Sequence, residues 1–242
     1  MYKLSVITVT YNAADTLERT LRSVQGQSYG EIEHVIVDGQ SKDGTVALIE
    51  QFANEGTNWV SEPDKGLYDA MNKAAARATG DYLCFLNAGD TFYSDSTVEE
   101  MMRSIPKGTV PDIIYGQTAI VDNEGEFLHM RRLEAPQVLN WKSFKQGMLV
   151  CHQAFIVRRT LFEPYDLGYR FSADFDWAVK LMKRAQVMHY TGLTLINYLN
   201  EGLTTANRKA SLKERYRIMA KHYGQLSTAL HHGWFAVRVL FK

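Results

Sequence analysis

Two short apolar runs, each cut off by a polar cluster and followed by a helical pattern, limit what the start of this chain can become. Leu4 to Val9 is rich in Val, Ile and Thr and reads as a buried parallel strand. It stops at Thr10, Tyr11 and Asn12, and a helix follows with Asp15 as its N-cap, Glu18 three residues on, and Leu17, Leu21 and Val24 at helical spacing. A second strand, Ile32 to Val37, ends in Asp38 and Gly39, with another helix beginning around Asp43. The unit is βαβ. In open sheets of this kind ligands sit beyond the carboxyl ends of the strands, so Thr10, Asn12, Asp15 and Asp38 are placed to meet one.

The pattern continues. Asn58 to Ser61 is a short strand, Pro63 and Gly66 mark a turn, and the alanine-rich stretch after them is a helix closed by Gly80. Asp81 to Leu86 is a fourth buried strand ending in Asn87, Ala88, Gly89 and Asp90, followed by a helix from about Ser96 to Ile105. The period then changes. Ile113 to Val121 and Phe127 to Arg131, joined by a turn at Asp122 to Gly125, predict a hairpin, and Gln153 to Arg158 adds a strand. The segment from Glu134 to Met148 reads as an internal linker. Ser172 and Asp174 stand at the start of a helix carrying Trp177, Leu181 and Met182; Asp176, two residues on, belongs to a different face and a different job. A strand near Leu193 to Leu199, a loop from Asn200 to Thr205 and a charged helix from about Lys209 to Tyr223 follow. The closing LSTALHHGWFAVRVLFK mixes Trp234, Phe235, Val237, Leu240 and Phe241 with His232, Arg238 and Lys242, which suits a helix lying on a membrane surface or against a partner.

Composition removes several classes of function. With 242 residues and net charge zero the chain has a sizeable core but no basic face for nucleic acid. Met-Tyr-Lys at the start lacks the apolar region of a signal peptide, and no stretch reaches the length of a membrane span, so a cytoplasmic location is expected. Cys84 and Cys151 lie in apolar surroundings without ligand spacing and are expected to be reduced core thiols.

In order, TYNAAD, VDGQSKDGT, SEPDKGLYDAMNKA, FLNAGD and SADFDW resemble the family-2 nucleotide-sugar glycosyltransferases of GT-A fold, particularly bacterial enzymes of surface polysaccharide synthesis. The resemblance covers roughly residues 3 to 205. It implies an α/β fold: a Rossmann-like nucleotide-binding half with a mostly parallel sheet (1–110), a mixed acceptor-binding half (111–205), and a helical tail (206–242). It also implies that Thr10, Tyr11, Asn12 and Asp38 hold the nucleoside, with Asp64, Lys65, Asn72, Asn87, Ala88 and Gly89 on the donor as well. Asp90 would meet Mn²⁺ or Mg²⁺, Asp174 would be the general base, and His152, Gln153 and Asp176 would lie on the acceptor side. The family's metal motif usually carries two or three acids, whereas here Asp90 is the only one in NAGD.

The chemistry is self-consistent. Asp38 can accept from a uracil N–H or ribose hydroxyls, a hard cation can bridge the diphosphate with one protein carboxylate, and a carboxylate across the anomeric carbon can deprotonate an incoming hydroxyl. Such a single displacement inverts the anomeric centre, moving a sugar from a UDP-type donor to a glycan or lipid-linked glycan. Each residue has a plainer role beside this one. Asp15 and Asp174 can cap helices, Asp38 can begin an Asx-turn, Asp90 can sit in a turn, Asp64 and Lys65 can be solvated, and His152 can be structural. A nicotinamide dehydrogenase would need G-x-G-x-x-G where TYNAAD stands, and a nucleotidyltransferase a basic Gly-rich turn there. A degenerate sugar-nucleotide-binding protein is the remaining rival, and Asp174 argues against it.

Overall fold

The computed structural model describes residues 1–200 and 208–240. In chain order its strands are β1 (Leu4–Thr10), β2 (Ile32–Asp38), β3 (Thr57–Ser61), β4 (Tyr82–Phe85), β5 (Thr91–Phe92), β6 (Ile113–Val121), β7 (Phe127–Met130), β8 (Phe155–Arg158) and β9 (Met188–Leu199). Its helices are α1 (Ala14–Gln25), α2 (Thr45–Phe52), α3 (Leu67–Arg77), α4 (Thr97–Arg103), α5 (Ala173–Arg184), α6 (Arg208–Tyr223) and α7 (Gln225–Leu240). Past Asn200, the expected loop to Thr205 lies outside the described residues, as do Phe241 and Lys242.

One sheet runs through the molecule in the order β3-β2-β1-β4-β8-β6-β9-β5, with β7 paired to β6. The β3-β2-β1-β4 part is parallel, and β8 enters antiparallel to both β4 and β6. A parallel first half therefore meets a mixed second half, as the change of sequence period requires. Every residue of β1 is buried because helices cover both faces. Leu17 and Leu21 of α1 pack with Ile36 and Ile49 on one side, and Tyr68, Met71 and Ala74 of α3 join the larger core on the other.

Polar residues inside these strands are matched to partners. The Thr8 hydroxyl donates to Leu86 O at 2.8 Å and lies 2.9 Å from His34 Nε2. At the amino end of the sheet, Glu33 accepts from Ser5, from the Thr79 hydroxyl at 2.6 Å and from Gly80 N at 3.0 Å, with Lys3 Nζ at 2.9 Å. Burial would raise the Glu33 pKa; these donors win and lower it to about 2. Gly80 belongs to this staple. Helix α3 ends at Arg77, and a side chain at Gly80 would strike Lys3 O and Ser5, so the glycine permits a close strand approach and does not close the helix.

The start of α1 also departs from expectation. The helix begins at Ala14 with Asp15 inside its first turn, and no side chain of its own caps it. The free N–H groups are met from the β2–α2 loop and the first residue of α2: Asn12 N donates to Ser41 Oγ (2.8 Å), Ala13 N to Thr45 Oγ1 (2.8 Å) and Ala14 N to Asp43 Oδ2 (3.1 Å). In return Lys42 N donates to Asn12 Oδ1 at 2.8 Å. The two loops at the carboxyl ends of β1 and β2 are thus laced together.

Past β9 the tail folds back. Helix α6 packs on α5, and α7 turns away at Gly224, whose φ is +84°. Glu134–Met148 is more ordered than a linker: Asn140 accepts from Lys142 N and opens a 3₁₀ stretch, Trp141–Gln146, with a full capping box. Both cysteines are buried free thiols, and burial pushes Cys84 up to about 12.

Candidate active site

Three side-chain groups stand at the carboxyl ends of the parallel strands, where an open sheet receives its ligand. The first surrounds the laced loops. Asn12 and Gln40 are the only non-glycine residues with positive φ among those described, at +49° and +61°, and they sit at the ends of β1 and β2. Backbone strain collected at one rim is a mark of a working site. Tyr11 is 63% exposed beside them. A Cβ at Gly39 would collide with the Asp64 carboxylate and lie 3.3 Å from the Tyr11 ring, so only glycine lets these two approach. Lys65 is exposed at the following turn, where Gly66 N donates to Asp64 Oδ1 at 2.7 Å.

Asp38 is turned inward. Expected to meet the nucleoside, it has no exposed surface; its carboxylate accepts from the Ser41 hydroxyl, from Ser41 N at 3.0 Å and from the Ser61 hydroxyl at 2.6 Å. It holds the Gln40–Ser41 turn, which is the Asx-turn role. Asn72, also expected on the donor, spends its amide on Tyr165: Nδ2 donates to the Tyr165 carbonyl (3.0 Å) and Oδ1 accepts from Tyr165 N (2.7 Å).

The second group is built on the Asn87–Asp90 turn after β4. Gly89 has φ +98°, and a Cβ there would lie 2.8 Å from Leu199, so the turn requires glycine. Asp90 is buried, accepting from Gln153 Nε2 at 2.6 Å and from Leu199 N at 2.9 Å. Burial raises its pKa to about 7 against the opposing pull of these two bonds. Buried polar atoms nearly always find partners. Thr10 Oγ1 and Asn87 Oδ1 do not, although both are buried at this rim, next to half-buried Ala88.

These residues do not form a preassembled cation site in the free protein. Mg²⁺ and Mn²⁺ need oxygen ligands in an octahedral shell, and the one acid of the turn faces the interior with each oxygen already bonded to the protein. Among the described residues no cluster of three His, Cys, Asp or Glu can hold a metal. Calorimetric titration of the protein with Mn²⁺ alone is therefore expected to show no tight site, and Asp90→Asn is expected to leave that titration unchanged. Tight binding that disappears in Asp90→Asn would restore the carboxylate as a ligand.

The third group surrounds Asp174, half-buried in the first turn of α5. Tyr68 of α3 donates its hydroxyl to Asp174 Oδ1 at 3.1 Å, and Phe175 N donates to the same oxygen at 2.9 Å. The Tyr165 ring lies 5.4 Å from Tyr68, and its hydroxyl is 2.7 Å from His152 Nε2. Burial, then the Asp174 charge, pushes both tyrosine pKa values well above the ordinary range, so both stay protonated. Burial lowers His152, with Asp174 opposing. Gln153, adjacent to His152, reaches Asp90 instead, so one 3₁₀ turn, His152–Ala154, joins the second and third groups.

Tyr68 and Tyr165 have no short-range sequence signal as Asp174 partners; they lie 106 and 9 residues from it, and only folding brings them together. Asp176 requires a correction. Expected on the acceptor side, it is 1% exposed and points at the tail, with Lys180 Nζ at 2.7 Å, His222 Nε2 at 2.8 Å and Lys221 Nζ at 3.3 Å. Burial opposes its ionisation, but the bonds from His222 and Lys180 and the two lysine charges hold its pKa well below the usual carboxylate range.

The comparisons with known proteins agree with this architecture. The profile of glycosyl transferase family 2 matches residues 5–165. A PGL/p-HBAD biosynthesis glycosyltransferase of Mycobacterium bovis is 33% identical over 201 residues, covering 80% of this chain and 75% of the relative. Escherichia coli WfgD, a UDP-Glc:alpha-D-GlcNAc-diphosphoundecaprenol beta-1,3-glucosyltransferase, is 23% identical over 224 residues, covering 90% of this chain and 85% of its own. Among solved structures, S. aureus TarS 1-349 with UDP-GlcNAc superposes at TM-score 0.73 and 18% identity, over 90% of this chain and 66% of that one. A Pyrobaculum calidifontis mannosyltransferase with GDP-Man and Mn²⁺ gives TM-score 0.67 at 17% identity, over 96% and 70% of the two chains. These likenesses at low identity identify the GT-A fold. The protein is a glycosyltransferase and belongs to glycosyl transferase family 2.

Proposed function

We propose that this glycosyltransferase moves one sugar from a nucleotide-diphosphate donor, a UDP-sugar, to a hydroxyl of a glycan or lipid-linked glycan in surface polysaccharide synthesis. It does so by one displacement with inversion, at the cytoplasmic face of a membrane that it touches peripherally. The observation that carries the reading is the setting of Asp174. Among the described residues its hydrogen bonds fall on Oδ1, which leaves Oδ2 for an acceptor hydroxyl at the rim. The acceptor O–H gives its proton to Asp174, the oxygen bonds to the anomeric carbon, and the bond to the diphosphate breaks with its electron pair on the leaving nucleotide.

On the donor side, the exposed Tyr11 ring offers a face to the base, and Lys65 offers a cation to the diphosphate. Thr10 and Asn87 bring buried acceptors that a donor hydroxyl would satisfy. Asp38 and Asn72 act by shaping the loops behind these contacts. The relatives and neighbours supply context: UDP-Glc and a diphosphoundecaprenol acceptor in the name of one, UDP-GlcNAc and GDP-Man in others.

The test is a panel of UDP- and GDP-sugars with a diphosphate-lipid-linked glycan, run with Mn²⁺ and with EDTA, read by product mass and by the anomeric coupling constant. A UDP-sugar is expected to yield an acceptor heavier by one sugar, with inverted configuration. Retention of configuration, or an intact donor across the panel, would overturn the proposal.

A further inference from the structure

We infer that the outer face of α7 docks on an anionic lipid surface, with a lysine cluster at the α6–α7 elbow engaging the headgroups. The inference deepens the peripheral membrane contact of the proposed function by naming its surface, and it rests on that reading for its reason, a lipid-linked acceptor.

Helix α7 has two unlike sides. Thr228 is fully buried, Phe235 packs on the core, and the His232 ring lies 5.0 Å from Tyr216 of α6. Phe235, read from the sequence as part of the apolar series of the tail, is therefore partly buried against the protein. On the opposite side Leu226, Leu230 and Trp234 are 77%, 68% and 62% exposed. Their i, i+4, i+8 spacing puts them in one stripe pointing away from the body. From Gln225 to Trp234 the helix has no Asp, Glu, Lys or Arg. Leu212 and Tyr216 of α6 are also exposed, at 50% and 37%. Among the described residues no helix is long and apolar enough to cross a membrane, so the stripe suits a helix lying in the interface.

Charge decides the occupant. At the elbow Tyr223 stacks on Trp141 with ring centroids 5.6 Å apart and donates its hydroxyl to Trp141 O at 2.6 Å. Around this pair stand Lys183, 4.8 Å from the Trp141 ring, Lys142, 5.7 Å from it, and Lys145, 5.7 Å from Tyr223. None of the three forms an ion pair among the described residues, although Lys183 Nζ lies 3.0 Å from His222 Nδ1, and α6 carries Lys213 and Arg217 exposed. The nearby acids are spent: Asp176 on Lys180, Lys221 and His222, and Glu214 on Arg170 N and Phe171 N. A second copy docked over this elbow would bring cation against cation. Phosphate headgroups bring the opposite charge, and Trp234 is a residue type that sits well at such a boundary.

The full-length protein should be co-sedimented with vesicles of phosphatidylcholine alone and with added phosphatidylglycerol. Binding is expected only to the mixed vesicles and is expected to weaken with salt. The Leu230→Glu/Trp234→Glu double variant should bind at least about tenfold more weakly, since two apolar side chains leave the interface. Lys142→Gln/Lys145→Gln should weaken binding by roughly fivefold per lysine at low salt. Both variants should melt and hydrolyse donor as the parent does. The inference is overturned if the parent ignores mixed vesicles, if the Glu variant binds as tightly as the parent, or if light scattering finds a dimer that this variant splits. A protein that binds vesicles but turns over no sugar nucleotide would sink the proposed function and leave this surface standing.

Discussion

Asp174→Asn is expected to lower kcat by about two to four orders of magnitude while leaving the donor Kd near that of the parent. Asparagine keeps the shape of the side chain and can accept from Phe175 N, so a residue that merely caps α5 would tolerate it. What is lost is the capacity to take a proton. The donor stays bound because the proposed nucleotide contacts, Tyr11 and Lys65, come from other loops. Tyr68→Phe provides the graded control. It removes the hydroxyl that fixes Oδ1 but leaves the carboxylate, so kcat should fall by roughly tenfold, about the worth of one hydrogen bond to a charged group, with donor KM unchanged. Stopped-flow turnover and nucleotide calorimetry on both variants check this. An active Asp174→Asn enzyme removes the base assignment, and a Tyr68→Phe variant that changes KM but not kcat moves Tyr68 from Asp174 to the substrate.

Asp176→Ala should instead act on the fold. Deleting an acid that compensates buried or half-buried cations leaves them unpaired, typically at 3–5 kcal/mol for a fully buried pair. Here Lys180 and Lys221 have side chains 30% and 48% exposed, so solvent recovers part of the loss. About 2–3 kcal/mol is expected, which for a chain of this size lowers Tm by roughly 5–10 °C. The sign with pH follows from the depressed carboxylate: its contribution is present above the ordinary aspartate range and fades as pH falls below about 4. The gap in Tm between parent and variant should therefore close on acidification. Turnover per folded molecule should stay near parental. A variant with parental Tm and lost activity would return Asp176 to the acceptor side.

These two aspartates show what a sequence can and cannot disclose. Helical spacing is local, so it was enough to set Asp174 and Asp176 on different faces, where the structure gives them different partners. Lys180, four residues on, is a local partner of Asp176, but Lys221 and His222 are on a helix more than forty residues away, and no pattern around SADFDW announces them. The positions of the strands along the chain were legible for a similar reason: Leu4 to Val9 and Asp81 to Leu86 are apolar runs whose ends are marked by their neighbours. Asp15 misled because it has the right type and spacing for a cap, while the real caps, Asp43 and Thr45, arrive from the next loop. Asp38 and Asn72 were found as residues of the site region, but whether a polar side chain faces ligand or its own loop is decided by rotamer and packing. Tyr68 and Tyr165 read as ordinary core aromatics and acquire their role only beside Asp174.

The lacing of the β1–α1 and β2–α2 loops bears on how such a protein can diversify. Asn12, Ala13, Ala14 and Lys42 each place a backbone N–H on the opposite loop, and Asn12 and Gln40 hold left-handed conformations to do so. An insertion of one residue in either loop would put all of these donors out of register together. Lineages descended from this architecture should thus keep both loop lengths fixed and change donor preference by exchanging side chains at positions such as Tyr11. Length variation should gather instead at the exposed β6–β7 turn, which α1 meets through the Arg19 side chain, at Asp122 O (3.3 Å) and Asn123 O (3.2 Å).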